Sequence, residues 1–161
     1  MKTYRNNGAV GALLDEYEKA LNELQDLISG ISPSELCHIV DPHTDDEWCR
    51  SIQTILSHVI SAGYNYAIVI RKSQGESLEY YSGIIHNDLE TYQKELKKMF
   101  SYTARLFYDY PKLPLEAYAS ENKILVRWGQ LYDVEQLMEH AICHILRHRR
   151  QIERFLQKLQ T

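Results

Sequence analysis

The sequence predicts an all-α fold, a four-helix bundle in a single domain over residues 1–161. Three observations carry that expectation. Four segments place apolar residues at three- and four-residue steps, the period of a helix with one buried side. The stretches between them are polar and hold the Gly and Pro residues that end helices. No segment alternates apolar and polar residues for long enough to imply a sheet, and there is no internal repeat.

The first helix is expected over about 9 to 29, on Val10, Leu13, Leu14, Tyr17, Leu21, Leu24 and Ile28. Gly30 and Pro33 stop it in SGISPSE, where Ser32 or Ser34 can cap a short turn. CHIVDPHTDDEW reads as a loop. A second helix follows from about Asp46 to Lys72, with the DDE acids at its N-terminus and a stripe of Trp48, Ile52, Ile55, Val59, Ala62, Tyr66 and Ile70. After the loop SQGESLEYYSG, a third helix carries Ile85, Leu89, Tyr92, Leu96, Met99, Thr103, Leu106 and Tyr110, and Pro111 and Pro114 end it. Residues 111–130 form the longest connection, long enough for a crossover, and KILVRW within it reads as extended. The fourth helix spans about Asp133 to Leu159.

Composition excludes several function classes. A net charge of −4 offers no global basic field for nucleic acid. Arg147, Arg149, Arg150, Arg154 and Lys158 make the last helix locally basic, but cations there oppose the helix dipole. No apolar run approaches the length of a membrane span and no leader pattern is visible, so a cytoplasmic protein with no membrane partner is expected. Cys37, Cys49 and Cys143 are odd in number and form no C-x-x-C pair. Twelve tyrosines against three phenylalanines suit a wet pocket or a core boundary equally.

The chemistry-bearing residues are histidines. HAICHILRHRRQIERFLQ places His140, His144 and His148 at four-residue spacing on one side of a helix. At about 100° per residue, His148 falls roughly 30° from the centre of the apolar stripe. His144 lies at its edge, His140 beyond the edge, and Cys143 on the opposite face. An inward pair at i, i+4 can reach one ion, and a third ligand must then come from elsewhere. His38, His43, His58 and His86 are the candidates, and only His58 sits inside a periodic helix. It flanks its own stripe rather than centring it. Its small neighbours Ser57, Ser61, Ala62 and Gly63 leave room for an ion or substrate, or for close helix packing. Other chemistries lack their motifs: there is no H-E-x-x-H, no Gly-rich phosphate loop and no G-x-S-x-G.

WCRSIQTILSHVISAGYNYA, with a Trp at its start and a His ten residues on, resembles the second helix of the DinB/YfiT-like metalloprotein superfamily. HILRHRRQIERFL resembles that family's last helix, where H-x3-H precedes a Gln-Ile or similar pair. Many members carry a further His directly before the last ligand and a Gly after the following Arg; this chain has Arg147 and Arg150 there. The resemblance implies a four-helix bundle, a divalent metal such as zinc or nickel held by His58, His144 and His148, and a homodimer. It also implies an activity, since relatives include S-transferases dependent on bacillithiol or mycothiol, and a mycothiol-dependent maleylpyruvate isomerase. The expected function is transfer of a low-molecular-weight thiol to a small electrophile at the metal. The alternatives are a metal-stabilised stress-response or interaction module without catalysis, and a metal-dependent hydrolase. The hydrolase ranks below the transferase because no general base is evident in the sequence.

Overall fold

The computed structural model describes residues 3–160, and among them the fold is all-α but for one two-stranded sheet. The first helix, α1 (Gly8–Ile28), buries Leu14, Tyr17, Leu21, Leu24 and Ile28, as its periodicity demands. A short α2 (Pro33–Cys37) follows. The Ser32 hydroxyl accepts from the Glu35 N–H, the Glu35 carboxylate accepts from the Ser32 N–H, and Pro33 occupies the first turn, where no N–H is needed.

The second long helix starts later than its acids suggest. Asp46 caps a single 3-10 turn, Glu47–Cys49, by accepting from the Trp48 N–H. The α-helix proper, α3 (Ile52–Ser73), begins after Ser51, which forms a capping box with Thr54. The break has a local cause. The Arg50 carbonyl, which a continuing helix would offer to Thr54, instead accepts from the N–H groups of Val40 and Asp41 at 2.9 and 3.1 Å. Trp48 therefore leaves the helical stripe, stays 38% exposed, and lies over Gly83, where a Cβ would collide with its ring.

The third long helix, α4 (Leu89–Asp109), is capped by Asp88. Ile85, expected to open its stripe, lies outside it and is 47% exposed. Residues 78–86 instead run back along α3 as an extended strap. Its carbonyls are held by helix side chains: Lys72 donates to Leu78, Ser61 and Asn65 to Tyr81, Ser57 to Ile84 and Gln53 to His86. Asn65 also accepts from the Tyr81 N–H at 2.8 Å, so it pairs with both backbone groups of that residue as a neighbouring strand would. The strap returns the chain to the start of α3, and α4 then runs parallel to it. Ser57 meets Tyr92, Gly63 meets Met99, and Arg71 meets Asp109.

Residues 110–133 cross to the last helix through a two-stranded antiparallel sheet, β1 (Ile124–Leu125) against β2 (Leu131–Tyr132), with Ile124 opposite Tyr132. The extended stretch read in KILVRW is thus two residues long. Gly129, at φ 87°, closes the turn with its N–H on the Val126 carbonyl, a conformation that disfavours any side chain. The last helix, α5 (Val134–Leu159), starts from an Asp133–Gln136 capping box and runs antiparallel to α3, with His58 facing His144 and His148 while Tyr66 faces His140.

The principal neighbours of α1 are α5 and α4, and those of α3 are α4 and α5. The first and second long helices therefore lie across the core from each other, as do the third and fourth. Both connections between such partners are long and cross the structure. One apolar cluster fills the centre, including Tyr17, Leu24, Ile55, Leu56, Tyr92, Leu96, Met99, Leu106, Leu137 and Ile152. No helix of the described residues is long and apolar enough to cross a membrane.

Candidate metal centre

Two helices bring His58, His144 and His148 together. On α5, the turn of 3.6 residues stacks His144 and His148, which are 7% and 3% exposed. From α3, His58 reaches across, half-buried. The His144 Nε2 lies 2.9 Å from the His58 Nε2 and 3.2 Å from the His148 Nε2. All three donor atoms lie within 4.8 Å of one another. Nitrogens ~2.1 Å from a tetrahedral ion stand about 3.4 Å apart; the two spacings at His144 fall within about half an ångström of that figure, and the group as a whole, within 4.8 Å, would draw together to accept one.

The electrostatics suit a cation ligand set. Burial lowers all three pKa values, most for His144, pushed down to about 2, and also for His148, at about 4. Mutual repulsion among the rings and the charge of Arg147 act in the same direction. Near neutral pH the three imidazoles are therefore uncharged, with lone pairs free for an ion. His148 is also oriented. Its Nδ1 lies 3.0 Å from Gln151 Oε1, an acceptor, so Nδ1 carries the hydrogen and Nε2 presents the lone pair. Gln151 accepts from the Cys49 thiol as well, at 3.7 Å, which ties the turn before α3 to the ligand on α5. These donors fit a divalent ion, and among the described residues no fourth His, Cys, Asp or Glu joins the group. Cys143 is exposed, as the helix arithmetic places it, and so is Glu139, the acid nearest the pair in sequence.

Beside the triad a cavity of about 480 Å³ opens to solvent, and His58 and His144 form part of its wall. The strap contributes Tyr80. The turn after β1 contributes Val126, Arg127 and Trp128, and the helices contribute Ser61, Asn65, Tyr66, His140 and Arg147. His140 is thus not in the ligand group but in the wall. Its ring stacks on Trp128 at 5.2 Å between centroids and meets Tyr66 edge-on at 5.4 Å. Burial lowers its pKa too, and it makes no hydrogen bond among the described residues.

The small residues around His58 divide between the two purposes the sequence left open. Gly63 admits Met99, whose thioether fills the space a Cβ would need. Ser57 is spent on packing contacts, with its hydroxyl 2.6 Å from the Tyr92 hydroxyl and donating to the Ile84 carbonyl. Ser61 and Ala62 line the cavity. The loops 73–84 and 111–130, flanking the helix ends, are the sequence's candidates for the pocket walls. They supply Tyr80, Arg127 and Trp128, though no single residue of them was assigned. Gln151 was not assigned to the site at all. The i+3 position of Gln151 after His148 was a usable signal. Trp128 and Arg127 reach the site through a tight turn, which leaves no periodicity to follow. The remaining candidates stay apart: His86 packs edge-on against Tyr92, while His38 and His43 are exposed in or beside the first loop.

No protein-family model matches the sequence, and no curated protein matches it with significance.

Proposed function

We propose that the chain is a DinB/YfiT-like four-helix bundle that binds one divalent metal, zinc or nickel, through His58, His144 and His148. It would use that ion to transfer a low-molecular-weight thiol to a small electrophile. The observation that carries this reading is the convergence of three uncharged imidazoles from two helices beside an open cavity, with no fourth ligand in the group. A structural ion is normally closed off by four protein ligands, whereas three leave a position for a reactant. The chemistry the ion would supply is Lewis-acid activation, making thiolate available near neutral pH. The protein's own contributions are separate. Gln151 holds the His148 tautomer, Trp128 and Tyr66 offer an apolar wall, and burial of His144 and His148 keeps them unprotonated.

A second reading, metal-dependent hydrolysis, gains one observation. His140 supplies in the cavity wall an uncharged imidazole without a hydrogen-bond partner, positioned to take a proton from an attacking water.

Elemental analysis of purified protein should return one metal per chain. Titrating small thiols into cobalt-substituted protein should shift its visible spectrum as sulfur enters the coordination sphere. A spectrum indifferent to every thiol rejects the transferase. Hydrolysis of ester or amide substrates that is lost in His140→Ala would then favour the second reading.

A further inference from the structure

The cavity beside the triad has an unusual charge balance. Its wall includes two guanidinium groups, Arg127 and Arg147, and no carboxylate at all. The chain as a whole carries −4, so this excess of positive charge runs against the composition. Neither arginine is neutralised elsewhere, for neither makes an ion pair among the described residues. Contrast Arg71, which is gripped by Glu76 and Asp109, and Arg149, which pairs with Glu23 and Glu153.

The positions of the two arginines are set by the fold. Arg147 is one residue before His148 on α5, at the edge of the helix between the triad and solvent. Arg127 projects from the turn after β1, and its guanidinium lies over the Tyr80 ring, 4.7 Å from the centroid. The other cation near that ring is Lys72, at 5.3 Å, which is also anchored on the Leu78 carbonyl. Stacking on an aromatic face orients a guanidinium while leaving its N–H edge free for an acceptor. The rest of the wall carries no formal charge; it includes the polar Ser61 and Asn65, and one flat, largely apolar side. Trp128, Tyr66 and His140 form one aromatic corner, with Ala62, Val69 and Val126 beside it.

We propose that this cavity binds a small organic carboxylate with a flat apolar body. Arg127 and Arg147 supply the counter-charge for the acid group, and Trp128 and Tyr66 take the body. The inference rests on the reading of the site given above and names the class of its co-substrate. A volume of about 480 Å³ lies toward the small end of ligand sites. A planar guanidinium matches a carboxylate with two parallel hydrogen bonds.

The test is isothermal titration of full-length, zinc-loaded protein with 3-phenylpropionate and, separately, with its uncharged amide of the same shape. The carboxylate should bind at least about tenfold tighter, as expected for charge-assisted hydrogen bonds. Arg127→Gln and Arg147→Gln should each reduce that preference, and the double variant should abolish it while binding of the amide is unchanged. Equal binding of acid and amide by the wild type overturns the proposal. The titration repeated on chelator-stripped protein separates this proposal from the metal reading. A preference that survives there belongs to the arginines. One that vanishes on stripping, yet persists in the double arginine variant, belongs to the ion and also overturns the proposal. Inorganic phosphate at equal concentration should not displace the acid, and displacement would reject the carboxylate assignment. The count of metal per chain is read independently, so a protein that takes up no zinc when it is supplied, yet prefers the acid, rejects the metal reading alone.

Discussion

Gln151 is the residue whose role is easiest to isolate. It touches the metal centre only through the Nδ1–H of His148, so its loss should change the ion's affinity more than the fold. Gln151→Leu should weaken zinc binding about ten- to hundredfold, measured by competition with a chromophoric chelator, while Gln151→Glu, still an acceptor, should retain it. Protonation supplies a second prediction at this scale. His148 and His144 titrate in the fold far below the ordinary imidazole value of 6.5, at about 4 and about 2. The unfolded chain therefore takes up protons first as pH falls. The stability these residues contribute is complete above pH 6.5 and is lost progressively below it, toward pH 4 and beyond. Melting of metal-free protein should drop through that window, and a melting temperature level from pH 7 to pH 4.5 would contradict the burial of neutral imidazoles. Much of this site was legible in the sequence. Four-residue spacing marked His144 and His148 as the inward pair and set His140 outside them. His58 was not resolvable in the same way, because a residue flanking its own stripe is turned inward only by the packing of α3 against α5.

Among the elements, the strap at 78–86 has the clearest dependence on single side chains. Asn65 makes two hydrogen bonds to Tyr81, and both disappear in Asn65→Leu. At about 1 kcal/mol for each, the loss is small against a whole fold but large for one segment. Hydrogen exchange within the strap should accelerate roughly tenfold or more, whereas amides in the middle of α5 should keep their protection. Unchanged exchange at Tyr81 would show that the strap is held without Asn65, by its other contacts, the bonds from Lys72, Ser61, Ser57 and Gln53 among them. The long helices themselves were readable because their apolar spacing is local information. The start of α3 was misjudged because three acids resemble a helix N-terminus, and only the tertiary bonds from Val40 and Asp41 to the Arg50 carbonyl reveal that the helix cannot begin there. Ile85 continued the α4 spacing by one step for a similar reason: Asp88 ends the pattern with a cap, which periodicity does not register.

For the molecule as a whole, the three ligands come from helices that are distant in sequence, so an ion would act as a cross-link between α3 and α5. With free zinc a hundredfold above its Kd, linkage gives roughly 3 kcal/mol, or about 5–10 °C in melting temperature for a chain of this size. Chelation should remove that increment, and His148→Ala should melt at one temperature with or without metal. An identical melt after verified metal removal would count against any stabilising ion. The all-α class was plain from the sequence, but the arrangement of its helices was not. The neighbours of each helix depend on where two long connections travel, and the residues of those connections carry no periodic signal.

That arrangement also bears on how the chain reaches its native state. A helical protein usually folds fast because consecutive helices meet as hairpins, closing short loops first. Here the first two long helices are not principal neighbours, nor are the last two, and the pairing of α1 with α5 joins positions as far apart as Glu23 and Arg149. The shortest-range nucleus left is α3, the strap and α4, whose mutual contacts span only about a third of the chain. The ligand pair on α5 has nothing to coordinate with until that unit has been completed and the 110–133 connection has closed over it. Metal capture is then a late event, and the ion would slow unfolding far more than it would hasten folding.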